Sequence, residues 1–489
     1  MKNVYASIDK LVAYAADNLC LDERNADFAK NGIFRLLGLN SYAEGTECKN
    51  NSEASPDKLL AEFVQACVAA GLFGEEEGEY YCDAVMGELM LNPKQTEDIF
   101  YEIYRNNGAS AATQWFYDYC VKADYVKKAK LDKNPRFEEG GLVITINKAK
   151  PEFRDPKRAA AGNSVAGGYP KCSICHENEG FAGRSKRTLR TVNLTLGGQK
   201  WFWQFSPYGY FYQHGIAVNY AHTPMHTDRA TFTRLMDFVD LYPHYFIGCN
   251  APLPRIGGSV LAHDHYQGGG EVLPMHRAKA AFILKSKNHP DAVIEVLDWA
   301  GTVVRVVSKN RASIEDISEA IRKKWVAYED KALGIIPEDK DGVHNAISPT
   351  VIKTARGYEM SIILRSNITS DKFPDGIFHA HPEFHIIKKE SIGLIEAQGL
   401  FILPGRLEGE LAEIERLIEC GKPLPPEYAA FKLVYDEARA IYGSAPEQGA
   451  HSAMRKELGS ICNRILENTA VFKDKKQTVE FLEGLGYTL

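Results

Sequence analysis

From Arg255 to Gly270 the chain reads Arg-Ile-Gly-Gly-Ser-Val-Leu-Ala-His-Asp-His-Tyr-Gln-Gly-Gly-Gly, and this stretch limits the fold more than any other. Strand side chains alternate between faces, so an extended segment starting at Val260 and Leu261 would put His263, His265 and Gln267 on one side of a sheet. Gly257 and Gly258 precede that segment and Gly268 to Gly270 follow it. Glycine lets backbone approach a ligand closely and present N–H groups to anionic oxygens. The pattern predicts a phosphate site on a strand, with His265 at its centre as nucleophile. An imidazole with a pKa of about 6.5 is mostly neutral at pH 7 and needs little activation.

The remainder of the chain is organised around this strand. Residues 1 to about 125 have helical periodicity: Ile8, Leu11, Val12, Ala15 and Leu19 share a face, and Ser55-Pro56 is a helix start that Gly71 would end. That region contains no histidine and no constellation of acids that stands out as a site, and an accessory role in oligomerisation or active-site cover is expected of it. Strands are expected at Leu142 to Asn147, Leu189 to Leu196, Lys200 to Phe205, Tyr210 to Val218 and Tyr245 to Asn250, with a helix from about Asp228 to Leu241. A second series follows: a strand at Val303 to Val307, a helix at Ile314 to Leu333, and strands at Thr350 to Thr354, Tyr358 to Leu364 and His379 to Ile387. The second series carries His379-Ala-His381 as an echo of His263-Asp-His265, with Glu383 where Gln267 would stand. After Pro404 the periodicity is helical again.

Together these features resemble the class II bacterial galactose-1-phosphate uridylyltransferases of the histidine-triad superfamily. The resemblance rests on His263-Asp-His-Tyr-Gln267, in which Gln stands for the superfamily's third histidine. Tyr169-Pro-Lys-Cys-Ser-Ile-Cys175, Phe181-Ala-Gly-Arg184, Pro243 to Gly248, Ile377 to His381 and Lys388 to Glu396 support it. It implies an α+β fold of two histidine-triad-like antiparallel-sheet units with helices. The expected divisions are an N-terminal helical region (1–140), a first, catalytic unit (141–290), a second unit (291–404) and a C-terminal helical region (405–489). It also implies uridylyl exchange between UDP-glucose and galactose 1-phosphate through a uridylyl group on His265, with Gln267 as hydrogen-bond donor. Asn250, Gly258 and Ser259 are the implied substrate contacts. Two rivals share these residues: another nucleotidyl transferase, phosphorylase or pyrophosphorylase of the superfamily, and a non-enzymatic nucleotide-binding module stabilised by metal.

Cys172-x-x-Cys175 has a spacing that lets two thiolates reach one tetrahedral ion, which is half a site. The related class I enzymes imply His222 and His263 as the other half of a zinc site, with His214 and His226 as competitors of His222. They also imply a second ion, iron, at His379 and His381. No organic cofactor is expected. Lys157, Arg158, Arg184, Arg187 and Arg190 are candidates for the nucleotide's phosphates, although charges in such positions are commonly surface residues.

Composition sets the outer limits. A net charge of −6 gives no global electrostatic footprint for nucleic acid, so none is expected as a partner. No apolar run is long enough to span a membrane, and the start lacks a signal-peptide core. The ten cysteines are scattered apart from Cys172 and Cys175, which argues for reduced thiols. A cytoplasmic homodimer is expected.

Overall fold

A computed structural model describes residues 1–43, 55–148, 168–258 and 260–489. Among the described residues seven helices open the chain: α1 (Lys2–Asn18), α2 (Glu23–Leu37), α3 (Pro56–Ala69), α4 (Gly78–Leu89), α5 (Pro93–Asn107), α6 (Ala109–Lys122) and the short α7 (Lys128–Leu131). Pro56 and Pro93 sit in the first turns of α3 and α5, where a missing N–H costs nothing. Helices α1 to α4 bury Val4, Ile8, Leu11, Phe63 and Leu89 in a separate core that Tyr119 of α6 also joins. Phe100 and Phe116, from α5 and α6, instead join the core under the main sheet.

That sheet has ten strands: β3 (Val192–Leu196), β4 (Gln199–Phe205), β5 (Gly215–Asn219), β6 (Phe246–Gly248), β7 (His265–Gly269), β8 (Ala280–Lys285), β9 (Val293–Leu297), β10 (Val303–Ser308), β13 (Asn345–Thr354) and β14 (Gly357–Ser366). The pairs β1 (Arg136–Glu139) with β2 (Leu142–Asn147), and β11 (Glu338–Asp339) with β12 (Gly342–Val343), lie outside it. Its order is β3-β4-β5-β7-β6-β13-β14-β10-β9-β8, and every neighbouring pair is antiparallel. Both halves obey one rule: a three-strand meander, a helix, then two strands with the last inserted beside the meander. The helices are α8 (Arg229–Leu241) and α9 (Arg311–Val326), and the halves meet where Gly248 pairs with Thr350. Large apolar residues from both halves, Trp203, Phe238, Tyr266, Ile317, Trp325 and Ile362 among them, form one continuous core.

The repeat anticipated from sequence is therefore present, but its alignment differs. The counterpart of β7 is β14, Gly-Tyr-Glu-Met-Ser-Ile-Ile-Leu-Arg-Ser, which contains no histidine. Residues 379–387 form turns and a short 3-10 helix at Pro382–Phe384, not a strand, because Pro382 has no N–H to give a ladder. The helix expected to reach Leu333 ends at Val326, where the Asn345 amide donates to the Trp325 and Tyr328 carbonyls.

The chain then makes α10 (Leu394–Ala397) and β15 (Leu400–Pro404), which pairs in parallel with β2. Helices α11 (Leu407–Glu419), α12 (Lys432–Ser444) and α13 (Gly449–Thr469) pack Leu411, Ile414, Val434, Ile461 and Ile465 over that small sheet, and α14 (Lys475–Glu483) returns Phe481 to the main core. Among the described residues no helix is long and apolar enough to cross a membrane.

Candidate active site

Strand β7 begins at His265, later than the sequence pattern suggested. Val260 to Asp264 are held by a loop instead: Met225 N–H donates to the Leu261 carbonyl at 2.9 Å, Asp264 N–H to the Thr223 carbonyl at 2.7 Å, and Asn219 N–H to the Asp264 carbonyl at 3.0 Å. The loop brings His222 against His263, with ring centroids 4.4 Å apart.

Cys172, Cys175, His222 and His263 converge there, each offering one ligand atom, all within 4.8 Å of one another. Cys172 Sγ is 3.4 Å from Cys175 Sγ and 3.3 Å from His263 Nδ1, while His222 Nδ1 is 3.1 Å from Cys175 Sγ. The sulfurs are too far apart for a disulfide. With metal bonds of about 2.3 Å to sulfur and about 2.0 Å to nitrogen, a tetrahedral site has edges of roughly 3.5–3.8 Å, close to these separations. His263 Nε2–H donates to the Asn219 carbonyl at 2.7 Å, leaving the Nδ1 lone pair facing the cluster. Burial lowers the His263 pKa to about 4 and pushes the Cys175 thiol up to about 12, which favours the neutral form of both in the absence of a cation. The four residues can hold a metal ion. His226 is exposed and turns to the Pro224 carbonyl, while His214 lies elsewhere in the site, so neither competes with His222.

His265 is buried on the other side of the same turn. Its Nδ1–H donates to the His263 carbonyl at 2.8 Å, which fixes the tautomer and leaves Nε2 with the lone pair. Burial also lowers the His265 pKa, keeping the ring neutral. Gly258 lies opposite: a methyl group there would be 4.0 Å from His265 Nε2 and 2.9 Å from Asn250 Nδ2. The Asn250 side chain is fully buried. Its Oδ1 accepts from Leu394 N–H at 2.9 Å, and its Nδ2 has no partner among the described residues. An unpaired buried amide donor beside an imidazole lone pair is an arrangement suited to an anionic oxygen. Ser259 lies outside the described residues.

The other glycines have a different explanation from the one their sequence suggested. A methyl group on Gly268 would be 2.1 Å from the Phe246 carbonyl oxygen, and one on Gly257 would be 2.3 Å from that of Ala251. Neighbouring backbone requires those glycines, whereas Gly258 opens the space before His265.

His379 and His381 do not face a common space on a strand. His379 Nδ1 bonds the Ala380 carbonyl at 3.2 Å and His381 Nε2 the Ile377 carbonyl at 3.1 Å. Among the described residues no third ligand completes a site with them. Burial, with a smaller contribution from the Arg365 guanidinium, lowers the His379 pKa to about 4. A permanent cation beside His379 opposes a second one.

Of the basic candidates, Arg187 and Arg190 have structural roles, and Arg184 is half-buried. Arg187 pairs with Glu88, and buried Arg190 donates to the Leu91, Arg187 and Leu189 carbonyls at 2.7–2.9 Å, tying the sheet to the helical region. Lys157 and Arg158 lie outside the described residues. Two contributions were not identified from sequence. One is the Leu394 turn beneath Asn250, for which Lys388 to Glu396 gave only the signal of family likeness. The other is the contact of His214 with Gln267, where the sequence offered His214 only as a competitor of His222.

Comparison with known proteins gives the family of the chain. Residues 50–224 match the galactose-1-phosphate uridyl transferase N-terminal domain and residues 238–422 its C-terminal domain. A galactose-1-phosphate uridylyltransferase of Bifidobacterium longum subsp. longum is 57% identical, over 100% of this chain and 99% of its own. Proteins of the same name from Lactococcus lactis subsp. lactis (34% identical, 97% of each chain) and Clostridium acetobutylicum (35% identical, 95% of this chain and 96% of its own) are similar throughout. With both family domains matched and full-length relatives of this similarity, the chain belongs to the galactose-1-phosphate uridyl transferase family.

Proposed function

We propose that His265 carries the uridylyl group in the exchange that its family performs, in which UDP-glucose and galactose 1-phosphate give UDP-galactose and glucose 1-phosphate. The chain is thus a transferase of galactose metabolism. The observation that carries the proposal is the 2.8 Å bond from His265 Nδ1–H to the His263 carbonyl, which reserves the Nε2 lone pair for the space bounded by Gly258 and Asn250.

In the first half-reaction Nε2 attacks the α-phosphorus of UDP-glucose. A P–N bond forms, the P–O bond to glucose 1-phosphate breaks, and that oxygen leaves with the electron pair. In the second, a phosphate oxygen of galactose 1-phosphate attacks the same phosphorus and the P–N electrons return to Nε2. Both leaving and entering groups are phosphates, already anionic at pH 7, so neither step needs a strong acid or base. A glutamine suffices at position 267, because its amide donates to phosphoryl oxygens as their charge develops. Asn250 Nδ2 is the second donor, and its lack of a protein partner supports that role.

The Cys₂His₂ set at Cys172, Cys175, His222 and His263 suits zinc, which would bind these four segments together. His263 would thereby anchor the turn from which β7 starts and hold the carbonyl that orients His265. We infer a cytoplasmic homodimer, supported by the family resemblance.

Intact mass after incubation with UDP-glucose tests the proposal. Wild type should gain one uridylyl group that galactose 1-phosphate removes as UDP-galactose, and His265→Ala should gain none. An equal adduct on His265→Ala would exclude His265. No adduct and no turnover in metal-replete protein would favour a binding module.

A further inference from the structure

Gln267 acts as proposed only if its amide nitrogen, and not its oxygen, faces the phosphoryl group, and an amide can sit either way round. Buried His214 is in contact with it. Tyr210 N–H donates to His214 Nδ1 at 3.3 Å, so Nδ1 is the unprotonated nitrogen and Nε2 bears the hydrogen. That Nε2 is 3.4 Å from Gln267 Oε1. The imidazole N–H selects the amide oxygen, and the amide NH₂ is left to turn toward the site.

The ring has little freedom to reverse these roles. It lies against Tyr210 and Phe211, with ring centroids 5.1 and 4.5 Å away, and Ser206 N–H donates to the His214 carbonyl at 2.9 Å. The turn carrying it is also fastened to the N-terminal helices. Gln213 Nε2 donates to Gln114 Oε1 of α6 at 3.1 Å, Tyr212 also reaches Gln114, and Lys127 N–H donates to the Pro207 carbonyl at 3.0 Å. Tyr245 holds the other end of the Gln213 amide at 2.7 Å.

We propose that His214 is a positioning residue for Gln267, its Nε2–H fixing the amide so that NH₂ faces the phosphoryl group on His265, with the helical region holding the turn that carries it. This rests on the reading of His265 and Gln267 given above.

The test is a double-mutant cycle read as the single-turnover rate of glucose 1-phosphate release and as KM for UDP-glucose. His214→Phe, which keeps a ring between Tyr210 and Phe211 but loses the donor, should slow transfer about tenfold with KM changed less than about twofold. His214→Gln, which retains an N–H donor, should recover most of that loss. In a Gln267→Ala background His214→Phe should add less than about a further twofold. Equal slowing in both backgrounds, or no recovery by His214→Gln, overturns the proposal. If His214→Phe does not fold, His214→Asn, too short to reach Gln267, replaces it in the cycle with the same criterion. A wild type that forms no adduct on His265 defeats both readings. Adduct formation at one rate in wild type and His214→Phe defeats only this one.

Discussion

The Nδ1–H of His265 donates to the carbonyl of His263 across 2.8 Å, and the imidazole of His263 faces away from it into the cysteine cluster. One backbone group thus joins the Cys/His cluster to the proposed nucleophile. Histidines two residues apart present opposite nitrogens in different directions, Nδ1 toward the cluster from His263 and Nε2 toward the space beside Gly258 from His265.

Disturbing the cluster should therefore act on both stability and rate. Cys175→Ser or exhaustive chelation should lower the melting temperature by several degrees or more and reduce transfer at least about tenfold. Metal analysis, melting and rate measured on the same samples check this; full activity in metal-free protein would refute it.

Gly258→Ala should preserve the fold but damage the reaction. The added methyl would be 2.9 Å from Asn250 Nδ2 and 4.0 Å from His265 Nε2, inside the space assigned to substrate. The contact is with a side-chain amide, so melting should shift by only a few degrees while kcat/KM falls on the order of 100-fold. Nearly unchanged turnover would move the substrate elsewhere.

Asn250→Ala removes both the unpaired donor and the bond to Leu394 N–H. We expect about 1–3 kcal/mol less stability, because Leu394 N–H is left buried without a partner, and a fall in transfer rate of at least about tenfold. Asn250→Asp keeps an acceptor for Leu394 but places a carboxylate before the phosphates. It should recover the melting temperature and not the rate, a separation that calorimetry with single-turnover kinetics can read.

Far from the site, Glu457 shares Arg464 with Glu437, the arginine lying 2.9 Å from Glu457 and 2.6 Å from Glu437. Burial, and then the neighbouring Glu437, raise the Glu457 pKa to about 8. The native protein holds a proton that the unfolded chain releases above its ordinary carboxyl pKa, so this group's contribution to stability falls as pH rises from about 4.5 to about 8. Glu457→Gln should melt higher than wild type at pH 8, with the difference shrinking toward pH 5. Parallel melting curves across that range would contradict the assignment.

Much of this was legible in sequence because it depends on local rules. The period-two segment set His265 and Gln267 on β7 but wrongly put His263 on the same face, when it lies before the strand and turns into the cysteine cluster. Cys-x-x-Cys gave half that cluster, and helical periodicity marked both ends of the chain. What escaped depends on long-range pairing. His379-Ala-His381 looked like a repeat of His263-Asp-His265, yet strand order makes β14 the counterpart of β7, and no local pattern encodes strand order. Gly257 and Gly268 looked like ligand-facing glycines, but the carbonyls that exclude a side chain there belong to other segments, Ala251 and Phe246. His214 could be sorted from His222 only once the Tyr210 N–H was seen to occupy its Nδ1.

The duplicated strand order has a stoichiometric consequence. Two halves of one design meet at the Gly248–Thr350 pair, yet of the counterpart strands β7 carries His265, the proposed acceptor, and β14 carries no histidine. From the second half, Arg365 of β14 grips the Ile392 carbonyl, two residues before the amide that holds Asn250. Labelled UDP-glucose should accordingly saturate each polypeptide at a single equivalent, with one repeat acting as the reactive partner and the other as its scaffold.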